Sequence, residues 1–424
     1  MGGRIKQVFK RLIPDELLRH TGILFSGMMV VHVCNMIYQM AVSRVLPKEE
    51  YVLLTAFLGV LAIVARPLST LTTGVSHYSS LLRQDGRAGD VKRLLTKWLV
   101  LTGGPAVLLG MLAVVFNQPL AGFLHLDRVA PVIITGAVLP ALFWLPILNG
   151  AGQGLQLFGW LSASTIIGAI VRLGLGAGLV WFVYPGCGWA MLGHGLGIYA
   201  SATLLLLGLV LMLKGKARSN TPLPSMRFYL IRSFFIQAAY AVLMTADVIL
   251  VKHYLPAETD FAFAATLGRM VVFLPGAIVV AMFPKVASRG SANVEQRSIF
   301  MRSFGYTALF VLMAIVGCVL VAGPLARVLF GIVDASVQLK QLIGLMAVVM
   351  GISALLNVVV QFLLAQRRFV SLFNVIGFAM LYLISVALFH STMLWIVGWA
   401  AVCNAGALIV SFLLILKGSV GETK

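Results

Sequence analysis

Long apolar blocks separated by short polar connections run through almost the whole of this chain. A helix that crosses the hydrocarbon core of a bilayer needs about 20 mostly apolar residues. Blocks of that kind fall at 21–46, 51–82, 98–116, 131–153, 159–182, 190–213, 229–255, 261–285, 304–323, 341–365, 369–389 and 391–416. The pattern predicts an all-α polytopic membrane protein of about 12 transmembrane helices, with no room for a sizeable soluble domain. Composition agrees: of 424 residues, 60% are hydrophobic and 11% charged, too little polar surface for a soluble chain. The basic start, "MGGRIKQVFKRLIPDELLRH", shows no small-residue cleavage site, so the first span is expected to remain as an anchor. Lys6 stands where N-myristoylation needs Ser or Thr.

Polar residues inside the spans fall on stripes. In the first span His32, Asn35, Gln39 and Ser43 share one helical face, and in the second Arg66, Thr70, Thr73 and His77 do the same. The seventh carries Ser233, Gln237, Tyr240, Met244 and Asp247, and the eighth Thr266 and Arg269. Lipid satisfies none of these groups, so they must face protein or water. Hydrogen-bonded glue between packed helices would account for His32, Asn35 and Gln39. The arginines are harder to place.

On the most lenient scale a mid-helix Arg costs about 2.5–3.5 kcal/mol, so Arg66, Arg172 and Arg269 together cost about 9 kcal/mol. Asp247 is the acid near mid-membrane, and it can neutralise at most one of them; Arg269 or Lys252 is its candidate partner. The remaining positive charge suits a cavity that receives an anion, since Arg meets phosphate oxygens in bidentate geometry. Arg66, Arg269, Arg172, His32, Asn35, Gln39 and Thr70 are the candidate substrate-binding residues, and Asp247 with Lys252 the candidate coupling site or ion pair. Snorkelling to an interface is the bland alternative for Arg66 and Arg269, and tight packing in the Gly-rich "GAIVRLGLGAG" for Arg172. Pro67 and Pro275 are expected to interrupt their helices. Gly174/Gly178 and Gly193/Gly197 have the spacing of close helix contacts.

The net charge of +19 is a matter of topology. Basic residues gather in alternate connections: Arg4, Lys6, Lys10, Arg11 and Arg19; Arg83, Arg87, Lys92, Arg93 and Lys97; Lys214, Lys216, Arg218 and Arg227; Lys285, Arg289, Arg297 and Arg302; Arg367 and Arg368. The connections between them, "PKEEY", "YPGCGW" and "PAETDF", carry few. This positive-inside pattern places both termini in the cytoplasm, with anionic-lipid contact as a lesser effect, and gives no reason to expect a nucleic-acid partner. Cys34, Cys187, Cys318 and Cys403 form no metal-binding or paired spacing. No metal or cofactor is expected.

The chain repeats itself. "SRVLPKEEYVLLTAFLG" (43–59) returns as "KHYLPAETDFAFAATLG" (252–268), with Leu46 and Leu255 209 positions apart. Phe158 and Phe369, each ending a similar stretch, are 211 apart. "QPLAGFL" (118–124) and "GPLARVL" (323–329) make a looser third match. Six helices per half give a parallel repeat, predicting two pseudo-symmetric lobes around a central cavity. The expected organisation is a basic N-terminus (1–20), an N-lobe (21–213), a cytoplasmic linker (214–228), a C-lobe (229–416) and a short tail (417–424).

The segment "DVILVKHYLPAETDFAFAATLGRMVVFLPGAIVVAMFPKVA" (247–287) resembles the start of the second lobe in the multidrug/oligosaccharidyl-lipid/polysaccharide (MOP) flippase superfamily. With "SRVLPKEEYVLLTAFLGVL" and "LNGAGQGLQLFGWLSASTIIGAIVRLGLG", it is most similar to the O-antigen-type polysaccharide flippases. The resemblance implies a polyprenyl-diphosphate-linked oligosaccharide carried from the cytoplasmic to the outer leaflet of a bacterial inner membrane, by alternating access. Partners would be that glycan, the lipid bilayer, and a polysaccharide polymerase and glycosyltransferases. Cationic cavity residues hold the diphosphate in such proteins; the matching positions here are Arg66 and Arg269. Two departures stand out: Val52 replaces a usual Gly, and the first helix has no arginine before Arg44. The second departure argues against a lipid II flippase.

With no Walker A pattern, ATP hydrolysis is not built in; membrane potential or an ion gradient is the expected drive. A drug/cation antiporter of the same superfamily is the alternative, and would want acids in the cavity. A membrane glycosyltransferase or polymerase is the rival from another class. "ETD" (258–260) offers it two carboxylates, but on a very short loop, so an enzyme is not expected.

Overall fold

The computed structural model describes residues 16–126, 128–216, 227–272, 275–276, 278–279, 282, 286, 293–366, 368–369 and 372–417. The expected N-terminal stretch 1–15, most of the linker (217–226) and the tail 418–424 lie outside them, as do Lys285, Arg289 and Arg367. Every regular element among the described residues is helical: α1 (Glu16–Val45), α2 (Lys48–Gln84), α3 (Val91–Val115), α4 (Asn117–Phe123), α5 (Ala130–Gly154) and α6 (Phe158–Val171). A π-helical segment (Arg172–Ala177) joins α6 to α7 (Gly178–Phe182). There follow α8 (Cys187–Leu213), α9 (Arg227–Tyr254), α10 (Asp260–Met270), α11 (Asn293–Leu320), α12 (Ala322–Phe330), α13 (Val337–Ala365), α14 (Phe373–Leu388) and α15 (Met393–Lys417).

Nine helical stretches among the described residues are long and apolar enough to cross a membrane, and α14 is a shorter apolar helix. The apolar blocks thus fold as the periodicity predicts, and the fold class is all-α. Helix ends follow local chemistry. Glu49 and Glu50 sit in the first turn of α2, where carboxylates meet the positive end of the helix dipole. Ser336 caps α13 by accepting from Leu339 N at 3.0 Å. The buried Asp90 carboxylate accepts from Arg87 at 2.8 Å between α2 and α3.

One expectation needs correcting. Pro67 does not break its helix: α2 runs unbroken from Lys48 to Gln84. Proline removes one backbone donor, and the Ser69 and Thr70 hydroxyls that follow bond back to the carbonyls of Arg66 and Pro67, at 2.7 and 2.8 Å. The loosely matching "QPLAGFL" and "GPLARVL" stretches form the short helices α4 and α12. They are too short to register as spans by hydropathy.

The chain divides into two compact units. One comprises Met1–Val42, Leu71–Val115 and Ala130–Ser225; the other comprises Ser43–Thr70, Phe116–Val129 and Met226–Lys424. In the first, α5 packs against α3 and α8, and α8 against α6 and the π segment. The last of these contacts is backbone on backbone. A Cβ on Gly193 would lie 2.2 Å from Gly176 Cα, and one on Gly197 would lie 2.5 Å from Gly168 O. Gly193 and Gly197 therefore do form the close contact their spacing suggests, but Gly174 and Gly178 do not, having nothing within 4 Å. The wider π turn brings Gly176 to the crossing instead. In the second unit, α13 is the central helix, packed against α10, α11 and α15. Tyr51 stacks on Phe263 at 4.8 Å.

Gly193→Val should therefore lower the thermal midpoint in detergent by the equivalent of about 1–3 kcal/mol or more. Gly104→Ala, where a Cβ meets nothing within 4 Å, should leave the midpoint unchanged or slightly raised.

Candidate functional site

Arg66 lies on the part of α2 that belongs to the second unit, one residue before Pro67. Its guanidinium is half-buried and meets no carboxylate among the described residues. Nη2 donates to Asn357 Oδ1 on α13 at 2.6 Å, and Cζ sits 4.8 Å from the ring centroid of Tyr240 on α9. Both partners are themselves fixed. Asn357 and Tyr240 are buried, and the Tyr240 hydroxyl donates to Ser353 O at 3.0 Å while accepting from Ser353 Oγ at 3.3 Å.

The first unit holds a second guanidinium of the same kind. Arg172 opens the π segment; its Nη1 donates to Asn35 Oδ1 on α1 at 3.1 Å, and Cζ lies 4.3 Å from the Tyr38 ring centroid. Tyr38 is fully buried and donates to Ala190 O at 3.1 Å. Gly176 makes room for it, since a Cβ there would meet the Tyr38 ring at 2.7 Å. Arg172 Nε and the neighbouring His194 Nδ1 are buried with no hydrogen-bond partner.

Arg269 is different. Its Nη2 lies 2.5 Å from Asp247 Oδ1, and the acid is buried. The single carboxylate expected near mid-membrane therefore serves Arg269, leaving Arg66 and Arg172 without one. The pair is joined by one bond: Asp247 Oδ2 and Arg269 Nε are buried without partners. Lys252 is buried on the last turn of α9.

Of the α1 stripe, Asn35 is engaged by Arg172, and His32 and Gln39 are half-buried on the same helix. Thr70 is buried and its hydroxyl proton goes to Pro67 O, so it has no donor left for a ligand. Residue spacing did not single out Asn357 or Tyr38. A lone amide in the apolar run "ALLNVVV" was the available signal for Asn357; Tyr38 carried none.

The chemical consequence is a guanidinium whose charge is stabilised but not cancelled. An amide oxygen and a π face orient the group, yet neither carries a formal negative charge. Arg66, with one of its five donors engaged, keeps N–H groups for a further acceptor. An anion with paired oxygens is the natural complement.

No family model and no curated sequence matches the chain. Its fold is similar to solved structures. One is an inward-facing multidrug resistance transporter of the MATE family, MOP superfamily, with TM-score 0.72 and 11% identity over 95% of this chain and 100% of that one. A second is an outward-facing transporter of the same description, with TM-score 0.67 and 13% identity over 96% of each chain. A third is a MOP superfamily transporter from Pyrococcus furiosus, described as having a binding pocket of reverse polarity, with TM-score 0.68 and 13% identity over 96% of each chain. At these identities the likeness establishes the fold, a MATE-like arrangement of two lobes of six helices, and not the substrate.

Asp247→Asn should be costly, because it strands the Arg269 charge: a loss of about 3–5 kcal/mol, read as a lower thermal midpoint. Replacing both Asp247 and Arg269 by Leu should recover most of it. A single Asp247→Asn variant as stable as the unmodified protein would show that the pair does not hold the unit together.

Proposed function

We propose that this chain is an alternating-access transporter for an anionic lipid-linked glycan, a polyprenyl-diphosphate-linked oligosaccharide moved from the cytoplasmic to the outer leaflet of a bacterial inner membrane, with both termini in the cytoplasm. A MATE-like fold supports the transporter class. One observation carries the substrate class: Arg66 and Arg172, both at membrane depth, are held by Asn and Tyr rather than by carboxylates. A half-buried, uncancelled positive charge is costly in the empty protein and is relieved when a diphosphate supplies the missing negative charge. The drive follows from the same charges. An anion leaving a cell with inside-negative potential gains about 2.3 kcal/mol per charge per 100 mV, and the emptied cationic site is helped on its return. The glycan reading also calls for glycosyltransferases and a polymerase as working partners.

The drug/cation antiporter is the second reading, favoured by the multidrug transporters among the similar folds. It requires an acid free to meet a cationic drug. Asp247, the buried acid on α9, is engaged by Arg269, which favours the anionic substrate.

Binding to protein in nanodiscs separates the two. Polyprenyl diphosphate should bind well and the uncharged polyprenol of equal length poorly. Arg66→Gln and Arg172→Gln should each lower the diphosphate affinity at least about tenfold, the scale of a hydrogen bond to a charged group. Arg66→Lys should retain part of it. Equal affinity for alcohol and diphosphate would overturn the reading, and tight binding of a cationic dye that Asp247→Asn abolishes would install the antiporter in its place.

A further inference from the structure

The short helices α4 and α12 end in matching ways. Each stops on a left-handed residue: His125 (φ 52) beyond α4 and Gly331 (φ 74) beyond α12. Each has a carbonyl of its last turn taken by a basic side chain from the end of a long helix in the other half of the sequence. Arg44, on the last turn of α1, donates to Val328 O of α12, and the neighbouring Ser43 hydroxyl reaches Leu329 O at 3.4 Å. His253, on the last turn of α9, bonds Phe123 O of α4 through Nδ1 at 2.7 Å, with the two rings stacked at 3.9 Å. His125 Nε2 returns a bond to His253 O at 3.0 Å.

These contacts are one device built twice. Arg44 and His253 are 209 positions apart, the spacing of the internal repeat, and the acceptors Phe123 and Val328 are 205 apart, the spacing of the "QPLAGFL" and "GPLARVL" match. All of these residues lie in the second unit, to which Ser43–Thr70 and Phe116–Val129 of the first half belong. They cluster around the connections poor in basic residues. The repeat thus ties each half to the other, with a cation or its imidazole equivalent at a helix C-terminus, where positive charge is favoured.

The copies differ in one respect. Arg44 is charged at every pH; His253 is not. A carbonyl only accepts, so His253 Nδ1 and His125 Nε2 carry the protons in the neutral pair, and acid adds a proton at the opposite ring nitrogen. Among the described residues, the titratable groups beside His253 include Lys252 and Tyr254 on its own helix, His125 beyond α4, and His390, stacked on Tyr254 at 4.0 Å. The His125 and His253 rings are 6.0 Å apart, so a proton taken up by either ring sits beside the other. That proton places a charge at the end of α4, as Arg44 does at the end of α12.

We propose that these two contacts lock the charge-poor gate of the transporter, Arg44 permanently and His253 in a proton-dependent way, so that acid on that side holds the gate shut. The proposal rests on the alternating-access reading above. Because closure binds the proton, the closed state gains in acid and loses that gain as pH rises.

The test is the distance between spin labels at Gln118→Cys and Ala257→Cys, both exposed positions, in full-length protein in nanodiscs with the four native cysteines replaced. The ratio of short to long distance should be about two- to fivefold higher at pH 6 than at pH 8, the scale of a charge at a helix end. His253→Gln should abolish this response while keeping a neutral donor, His125→Gln should preserve it, and His253→Lys should hold the short distance at both pH values. Arg44→Gln should weaken closure equally at both. Two distances whose ratio responds to pH alike in His253→Gln and the parent, or falls in acid, would overturn the proton-dependent lock alone. A single unchanging distance in every variant would overturn the transport reading along with it.

Discussion

A guanidinium held in an apolar helical span by neutral groups, with no carboxylate beside it among the described residues, is the interaction from which the candidate site follows. Arg66 and Arg172 are each fixed by an amide oxygen and a tyrosine face. These are strong enough to orient the group and too weak to cancel its charge. The supporting residues are themselves immobilised, Tyr240 through Ser353 and Tyr38 through Ala190. Orientation is therefore secured in the empty protein, before any ligand arrives, while the electrostatic demand stays unmet. Arg269 provides the internal contrast: with Asp247 at 2.5 Å its charge is already answered, and its role is closer to that of a structural tie.

Backbone packing makes the Arg172 cluster possible. The π segment and the absence of side chains at Gly176 and Gly193 let α8 and the π segment touch backbone to backbone. The same glycine leaves the slot in which the Tyr38 ring lies beneath the arginine. A stripe of small residues, usually read as packing alone, here also sets where a cation and its supporting ring can stand. Small shifts in that crossing would be felt at the guanidinium.

The internal repeat accounts for some of this architecture and not for the rest. It produces the paired short helices and the reciprocal bonds from Arg44 and His253. It does not produce the two arginine clusters. A step of 209 carries Tyr38 to Asp247 and Arg66 to Pro275, so the likeness of the two sites is one of chemistry, reached independently in each unit. The duplicated scaffold has been kept where it joins the halves and differs around the two arginines.

Hydropathy and charge are local sums along the chain, so the sequence alone determined the helical spans, the alternation of basic connections, the six-plus-six repeat and the surplus of arginines over acids within the spans. It could also say that Asp247 would neutralise at most one arginine. It named Arg269 or Lys252 as the partner; the choice between them depends on how α9 and α10 pack side by side, and it falls on Arg269. Asn357 and Tyr38 were invisible for the same reason: a lone amide or phenol in an apolar run has meaning only beside its neighbour. The course of α2 through Pro67 and the π turn at Arg172 were likewise decided in three dimensions. There, close backbone contacts decide what local propensity leaves open.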